Sequence, residues 1–248
     1  MRACVRLYDE AVDIYERVHY SQGEDEEEVR DILSWYRKPG ARVLDLGCGT
    51  GLQSVSLAKK GFTVVGVDKS EMALKAAREK ADGLAGVRFV RSDLETDPLT
   101  AYGVHDLVLC IGNTISHLTR PRIAVLFDSL RRALAPGGVL LFNAVYWANP
   151  FQKNVVERDP SGEINVIWER RLNEDKGTVE LKGHFIRENY TESIEVQCYK
   201  APELLNLLRL AGFTNVRWSH RLDFQGRSLA GANTIYYKAV MPKRGAAA

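Results

Sequence analysis

The segment 43–51 reads Val-Leu-Asp-Leu-Gly-Cys-Gly-Thr-Gly and carries the strongest chemical signal in the sequence. Its apolar half predicts a buried strand, and Gly47, Gly49 and Gly51 predict a tight loop that opens a helix. Glycines let a backbone approach a ligand without interference from a Cβ atom. In a doubly wound α/β sheet, ligands bind at this carboxyl edge of the strands. The segment therefore predicts a ligand-binding loop.

The spacing of the glycines distinguishes between two classes of nucleotide cofactor. Dinucleotide-binding loops read G-x-G-x-x-G and seat a pyrophosphate at a helix N-terminus, whereas this loop reads G-x-G-x-G. Asp45 lies just before the glycines, where a carboxylate repels a pyrophosphate but accepts a hydrogen bond from an amino group. The loop therefore favours S-adenosylmethionine, through its amino-acid half, over NAD.

Two further carboxylates follow the next two predicted strands. Asp68 ends the second strand, where an acid accepts hydrogen bonds from two ribose hydroxyls, as it also does in NAD enzymes. Asp93 follows the third strand, where its role is either to accept from the adenine amine or to cap a helix or solvated loop. Met72 is a candidate cover for the adenine ring, with ordinary core packing as the alternative. The choice of cofactor rests on Asp45 and Asp68 together.

The elements that position these residues alternate along the chain. Strands are predicted at 42–46, 62–67, 87–91, 106–111 and 139–145, with helices between them. Apolar strands separated by helices predict a doubly wound, mostly parallel α/β sheet covered on both faces. After Pro150 three strands follow with little helix between them, at 164–171, 178–186 and 193–199. The core then resumes with a helix from Pro202 and two strands near 214–220 and 233–240.

These patterns divide the chain into three predicted parts. Residues 1–40 form an N-terminal helical cap or lid. Residues 41–149 and 201–241 form the cofactor-binding core, and residues 150–200 form an antiparallel β insertion that covers the acceptor or mediates dimerisation.

The first clear helix is predicted to start at Ser21, which forms a capping box with Glu24. An acidic run, 24–28, follows, and we interpret it as negative charge favoured by the positive end of the helix dipole. Pro39-Gly40 ends the helix.

Composition excludes several classes of protein. The 248 residues are 45% hydrophobic and 27% charged with a net charge of +2, as in an ordinary soluble globular protein without a nucleic-acid-binding surface. The four cysteines form no CxxC pair and the histidines have no ligand spacing, so we expect no disulfide framework, no metal and a reducing compartment. No signal peptide or membrane span is visible. The sequence predicts a cytoplasmic protein.

The segment 43–51, with Asp68 and Asp93 at matching strand ends, resembles the class I S-adenosylmethionine-dependent methyltransferases over about 40–240. The resemblance implies a seven-stranded sheet with an antiparallel last strand, S-adenosylmethionine as cofactor and S-adenosylhomocysteine as product. It also assigns neighbouring residues to the cofactor site, together with Tyr20 from the N-terminal part. These are Cys48, which we interpret as a small loop residue and not a nucleophile, Lys69, Ser92, Leu94, Cys110 and Ile111.

The fourth strand leads into Cys-Ile-Gly-Asn-Thr-Ile-Ser-His-Leu at 110–118. This segment lacks the Pro-Pro-aromatic sequence of methylases acting on nucleic-acid bases and is similar to the C-x-G-N-S-x-x-H-L of glycine and sarcosine N-methyltransferases. Asn113 is our candidate for positioning the acceptor, because an amide carbonyl holds an amine N–H without protonating it. His117 is our candidate for a local base or hydrogen-bond partner. The alternatives are an ordinary Gly-Asn turn and a histidine with a purely structural role.

The resemblance ends after the fifth strand. There the glycine and sarcosine enzymes carry a carboxylate-binding Arg in an Asp-His-Arg-Asn-Tyr context, whereas 143–149 contains no Arg, which argues against glycine itself. The N-terminal stretch, the insertion and the C-terminal helix also resemble aminosugar N,N-dimethyltransferases. Further candidates for the acceptor pocket are aromatic or basic: Tyr20, Tyr146, Trp147, Tyr190 and Arg170 or Arg171.

The sequence therefore predicts a small-molecule methyltransferase, with an amine as the favoured acceptor. The alternatives are an O- or C-methyltransferase of secondary metabolism, a macromolecular methyltransferase, a non-catalytic S-adenosylmethionine-binding protein and an NAD-dependent enzyme. The strand-rich insertion further predicts a homodimer. Neither a nucleic acid nor a membrane is expected as a partner.

Overall fold

The computed structural model describes residues 12, 14, 16, 24–146, 154–158, 164–224 and 234–243. Val12, Ile14 and Glu16 are helical. The later elements are, in chain order, α1 (Glu24–Trp35), β1 (Arg42–Leu46), α2 (Leu52–Lys59), β2 (Thr63–Asp68), α3 (Glu71–Lys80), β3 (Val87–Arg91), a 3₁₀ turn (Leu99–Tyr102), β4 (His105–Cys110), a second 3₁₀ turn (Thr114–His117), α4 (Arg120–Ala133), β5 (Leu134–Val145), β6 (Asn154–Arg158), β7 (Ile164–Asn173), β8 (Thr178–Phe185), β9 (Tyr190–Gln197), α5 (Ala201–Leu210), β10 (Thr214–Ser219) and β11 (Thr234–Val240).

The central sheet has seven strands in the order β10-β11-β5-β4-β1-β2-β3. The β4–β5, β1–β4, β1–β2 and β2–β3 pairs are parallel, whereas β11 is antiparallel to both of its neighbours. From β1 the chain adds β2 and β3 on one side, and then β4 and β5 on the other side. Where the direction of strand addition reverses, between β1 and β4, a crevice opens at the carboxyl ends of the strands. The predicted fold is confirmed, including the single antiparallel strand near the sheet edge.

Helices cover both faces of this sheet. On one face, α4 and α5 bury Phe127, Leu130 and Leu204 against β4 and β5. On the other face, α1 and α2 bury residues such as Ile32 and Leu57 against β1, β2 and β4. Because β1, β2 and β4 are covered on both sides, their residues are apolar almost without alternation. This two-sided burial explains why the strands were visible in the sequence.

The insertion forms a separate four-stranded antiparallel sheet in the order β6-β7-β8-β9. The sequence predicted three of these strands but not β6. It also placed the start of β9 at Ser193, whereas the strand begins at Tyr190 because Asn189 adopts a left-handed conformation, φ 49°, and ends the turn. The sheet returns to the core where the Tyr199 N–H donates to the carbonyl of Val145. Among the described residues, no helix is long and apolar enough to span a membrane.

Candidate active site

An open cleft of about 1130 Å³, including its mouth, lies at the carboxyl ends of β1, β2, β3 and β4. Its walls combine the glycine loop with polar residues from the following strand ends. The lining residues are Val12, Asp45, Gly47, Cys48, Gly49, Thr50, Leu52, Gln53, Asp68, Lys69, Ala73, Ser92, Asp93, Leu94, Glu95, Ile111, Gly112, Thr114, His117 and Leu118. The cleft therefore contains most of the residues that the sequence assigned to the cofactor.

Asp45 is the most deeply buried acid of the cleft, with 2% of its surface exposed. The Ser54 hydroxyl donates a 2.6 Å hydrogen bond to its Oδ2. The pKa of Asp45 is raised to about 6, mainly by burial; the Ser54 hydrogen bond opposes this shift, and the charges of Asp68 and Glu28 add to it. Such a carboxyl gains from any cationic group that enters the cleft. This is the property expected of a residue that binds an amino group.

Asp68 joins the glycine loop to the start of α3. Its Oδ2 accepts the Gly49 N–H and its Oδ1 accepts the Ser70 N–H, each at 2.9 Å. Burial raises the pKa of Asp68, and these two backbone donors oppose the shift. Each carboxylate oxygen has further acceptor capacity toward a pair of ligand hydroxyls.

The third strand end forms the far side of the cleft. Asp93 is exposed, and its Oδ1 accepts the Glu95 N–H at 2.9 Å, so the carboxylate also caps a turn. Ser92 and Leu94 are buried on either side of it. Both the ligand role and the loop-capping role that the sequence left open for Asp93 are compatible with this position.

His117 lines the cleft from the second 3₁₀ turn. Burial, with a smaller contribution from the Lys69 charge, lowers the pKa of His117 to about 4. The imidazole is therefore uncharged at neutral pH and carries a single N–H. An uncharged imidazole has one donor and one acceptor nitrogen, which suits a hydrogen-bonding role.

The loop 111–118, named the acceptor loop here because the sequence predicts acceptor residues in it, follows β4. Asn113 has a left-handed conformation, φ 59°, and its N–H donates a 2.7 Å hydrogen bond to Oδ1 of the buried Asn143 in β5. The Thr234 hydroxyl donates to Oδ1 of Asn113 at 3.3 Å. Because β11 is antiparallel, its first residues lie at the same edge as the ends of the parallel strands. Gly112 and Thr114 line the cleft, whereas Asn113 is not among the lining residues.

Several predicted site residues lie away from the cleft. Cys110 is fully buried in the sheet core, and Met72 is 55% exposed on α3. Gly51 supports the loop from behind, since a Cβ there would lie 2.8 Å from the Phe89 ring. Cys48 lines the cleft, but burial raises the pKa of its thiol well above the usual value, so it is not an activated nucleophile.

The aromatic and basic candidates for the acceptor pocket are dispersed. The Tyr146 ring lies 5.5 Å from that of His220, at the end of β10. Arg170 and Tyr190 belong to the four-stranded sheet, where the Tyr190 ring packs 5.7 Å from Phe185. Tyr20 and Trp147 lie outside the described residues.

The structure adds polar residues that sequence reasoning did not assign to the site. Glu28 of α1 accepts a hydrogen bond from the cleft residue Gln53, and Asn143 of β5 accepts the Asn113 N–H. The sequence signal for Glu28 was concealed within the acidic run that we attributed to the helix dipole. A polar residue inside an otherwise apolar strand was the available signal for Asn143.

The cleft fits the cofactor that the glycine loop predicts. Buried carboxyls at the ends of β1 and β2 match an amino group and a ribose. Gly47 has no side chain, so its backbone forms the wall of the cleft directly. Among the described residues, no group of three His, Cys, Asp or Glu is arranged to hold a metal ion.

Comparison with known proteins identifies the family. A family model described as a methyltransferase domain matches residues 43–138. YqeM of Bacillus subtilis (strain 168), a candidate methyltransferase by name, is 30% identical over 183 residues, which cover 69% of this chain and 73% of YqeM. Glycine N-methyltransferase of Oryctolagus cuniculus is 28% identical over 202 residues, 73% of this chain and 66% of that protein. The chain therefore belongs to the class I S-adenosylmethionine-dependent methyltransferases.

Other relatives differ in the acceptor that their names state. Ubiquinone biosynthesis O-methyltransferase of Psychrobacter cryohalolentis is 34% identical over 109 residues, 43% of this chain and 41% of that protein. Among solved structures, a methyltransferase of Clostridium acetobutylicum superimposes with a TM-score of 0.73 at 18% identity, covering 94% of this chain and 98% of the other. CalS10 of Micromonospora echinaspora, an amino pentose methyltransferase, gives 0.65 at 19% identity, covering 91% and 94%. At these identities the two structures establish the fold alone.

Proposed function

We propose that this methyltransferase transfers the methyl group of S-adenosylmethionine to a nitrogen of a small-molecule amine. The observation that carries the proposal is the acceptor loop: Asn113 is held by Asn143 and Thr234, and its neighbours Gly112 and Thr114 line the donor cleft. Names of relatives support an amine, since glycine N-methyltransferase and an amino pentose methyltransferase both act on amines.

The chemistry is direct in-line displacement, in which alignment of the reactants supplies most of the rate. When bound, S-adenosylmethionine supplies a methyl carbon activated by its positive sulfur. In this chain, Asp45 and Asp68 orient the donor by hydrogen bonds, and the apolar side chains of Leu94 and Leu118 limit the access of water. Asn113 positions the acceptor, and neutral His117 accepts or donates a hydrogen bond.

The second candidate is a small-molecule O-methyltransferase. It is favoured by the ubiquinone biosynthesis O-methyltransferases, whose identity with this chain is confined to less than half of it. The donor side of the cleft serves either acceptor equally, so the two candidates differ only on the acceptor side.

The deciding measurement is release of S-adenosylhomocysteine across a panel of acceptors: glycine, sarcosine, dimethylglycine, nucleotide aminosugars, catechols and simple phenols. We expect turnover of an amine, and we expect Asn113→Ala to lose it while cofactor binding persists. Asn206→Ala, on the exposed side of α5, is the matched control. Turnover of hydroxyl acceptors alone would reject the amine assignment in favour of the second candidate.

Two aspects of the organisation belong to the same proposal. The N-terminal part acts as a lid: Val12 lines the cleft, Ile14 packs against the four-stranded sheet, and Glu16 forms a 2.9 Å ion pair with Lys80 of α3.

The four-stranded sheet mediates a homodimer, and a monomeric mass in light scattering would exclude it. The buried free cysteines support a reducing compartment such as the cytoplasm.

A further inference from the structure

The loop that follows β3, residues 92–97, forms the far side of the cleft and is folded around its own side chains. Oδ2 of Asp97 accepts the Asp93 N–H at 2.9 Å and the Ser92 hydroxyl at 3.2 Å. Oδ1 of Asp93 accepts the Glu95 N–H at 2.9 Å, whereas Oδ2 of Asp93 accepts no hydrogen bond from the described part of the chain. Asp93 lines the cleft, so its carboxylate retains acceptor capacity there.

The start of α4 makes a second set of contacts with this loop. Nε of Arg122 donates a 2.6 Å hydrogen bond to the Leu94 carbonyl, and Nη2 donates to the Asp97 carbonyl at 3.2 Å. The Thr119 N–H donates to Oε1 of Glu95 at 2.7 Å, and the Thr119 hydroxyl donates to Oε2 at 3.3 Å. Two residues at the start of one helix therefore hold three residues of the loop.

Arg122 is suited to fixing the backbone of this loop. Its side chain is half-buried, and a guanidinium presents several N–H donors in one rigid plane. β3 ends at Arg91 and the next element, a 3₁₀ turn, starts at Leu99, so neither carbonyl takes part in a helix or strand. Leu94 is buried and lines the cleft, so a shift of its carbonyl would also move the wall of the cleft. The position of the loop therefore depends on the hydrogen bonds from Arg122.

We propose that Arg122 is a positioning residue for the methyl donor. By holding the Leu94 and Asp97 carbonyls, it fixes the loop in the conformation in which Asp93 accepts a hydrogen bond from the 6-amino group of the adenine. Arg122 is not among the residues that line the cleft, so it acts on the ligand only through the loop. A loop that is already ordered binds more tightly because no ordering accompanies binding. The inference concerns the donor and holds equally for nitrogen and oxygen acceptors.

The test is calorimetric binding of two ligands that contain no acceptor: S-adenosylhomocysteine and its 6-deamino analogue, in which hydrogen replaces the amino group of the base. We expect the unsubstituted protein to prefer S-adenosylhomocysteine by at least about tenfold, which is the loss of one hydrogen bond to a charged group. Arg122→Met keeps an apolar stem and removes both donors. It should weaken S-adenosylhomocysteine about tenfold and leave the deamino analogue within about twofold, because only the contact with the amino group is lost.

Two further variants grade the effect. Arg122→Lys should restore part of the preference for S-adenosylhomocysteine, because one ammonium lacks the planar fork that holds two carbonyls. Thr119→Val removes the 3.3 Å hydrogen bond of the hydroxyl and keeps the 2.7 Å hydrogen bond of the N–H, so it should lower the preference by a smaller factor than Arg122→Met.

The matched control is Arg131→Met, the same change in the last turn of α4, where the side chain is 44% exposed and lies 3.8 Å from Asp128. It should leave both affinities unchanged. Equal weakening of both ligands by Arg122→Met, or weakening of neither, would show that Arg122 contributes only to folding and would overturn the inference. Equal binding of the two ligands by the unsubstituted protein would overturn it as well, since the loop would then not recognise the amino group. The acceptor panel tests the proposed function separately, because it measures turnover.

Discussion

The α-carbon of Gly47 in the donor loop faces the side chain of Thr114 in the acceptor loop. A Cβ at Gly47 would lie 2.5 Å from Cγ2 and 2.6 Å from Oγ1 of Thr114. The Thr114 hydroxyl is itself held by a 2.9 Å hydrogen bond to the Ile111 carbonyl. The glycine loop after β1 and the loop after β4 are therefore packed against each other without room for one additional methyl group at Gly47.

We expect Gly47→Ala to destabilise the protein by more than 2 kcal/mol, because strain at its positive φ of 70° and the clash with Thr114 add together. Gly49→Ala is the matched control. Its φ is 52° and an added Cβ would meet nothing within 4 Å, so strain alone should cost about 1 kcal/mol. Urea unfolding measures both.

A double-mutant cycle separates the clash from the strain. In a Thr114→Ala background, Gly47→Ala should cost at least 1 kcal/mol less than it does alone, because the Cγ2 and Oγ1 atoms are gone. Gly49→Ala should cost the same in both backgrounds. If the losses in the free energy of unfolding caused by Gly47→Ala and Thr114→Ala were additive, they would contradict a clash between the new Cβ and the Thr114 side chain.

Affinity for S-adenosylhomocysteine should fall as the pH falls through about 6. Binding of the ligand ammonium requires the Asp45 carboxylate, and burial raises the pKa of Asp45 to about 6 in the free protein. If Asp45 is ionised in the complex, the dissociation constant should be about fourfold larger at about pH 5.5 than at about pH 7.5. Calorimetry over this range measures the effect.

Asp45→Asn should bind more weakly and should lose this pH dependence. A pH dependence that persists in the variant would assign the titration to Asp68, whose pKa burial also raises.

The raised pKa of Asp45 also makes the stability of the folded protein depend on pH. Because the pKa of Asp45 is higher in the folded than in the unfolded protein, its contribution to stability is present below about pH 4 and is lost as the pH rises through 6.

Arg120 should be the residue that joins the insertion to the core. Its guanidinium forms an ion pair with Glu203 of α5, donates to the carbonyl of Cys198 at 2.8 Å, and lies 4.9 Å from the centre of the Tyr199 ring. Arg120→Met should lower the free energy of unfolding by about 2 kcal/mol, because two acceptors lose a charged donor. For a chain of this length the melting temperature should fall by roughly 4–8 °C.

Arg132→Met is the control for that substitution. Arg132 also forms an ion pair, at 2.8 Å with Asp128, but its side chain is 55% exposed. An exposed pair on one helix contributes less than 0.5 kcal/mol. Equal thermal shifts for the two variants would show that Arg120 does not link the insertion to the core.

The donor half of the site was predictable because it is built from local patterns. An apolar strand followed by glycines marks the position of Asp45, and the next strand end marks Asp68. Each residue projects from a strand end, and parallel strands bring their ends to one edge whatever the detailed packing. Two-sided burial made those strands visible as apolar runs.

The surroundings of Asn113 were not predictable in the same way. Asn113, Asn143 and Thr234 are far apart in the chain and meet only through the packing of the loop after β4 against β5 and β11. A helix dipole accounts for Glu28 equally well until the side-chain contact with Gln53 is seen. Similarly, β6 reads Asn-Val-Val-Glu-Arg, with two adjacent apolar residues, so it shows neither an apolar run nor an alternation that would predict a strand.

Apart from Val12, the residues that line the cleft lie between 45 and 118, whereas Asn143 and Thr234, which hold Asn113, come from two later segments. If Asn113 positions the acceptor as proposed, substitutions in those two segments alter which molecule is methylated while the lining of the cleft is inherited unchanged. A lineage can then acquire new substrates without rebuilding its chemistry, and mutational libraries limited to the end of β5 and the start of β11 would sample that same variation in the laboratory.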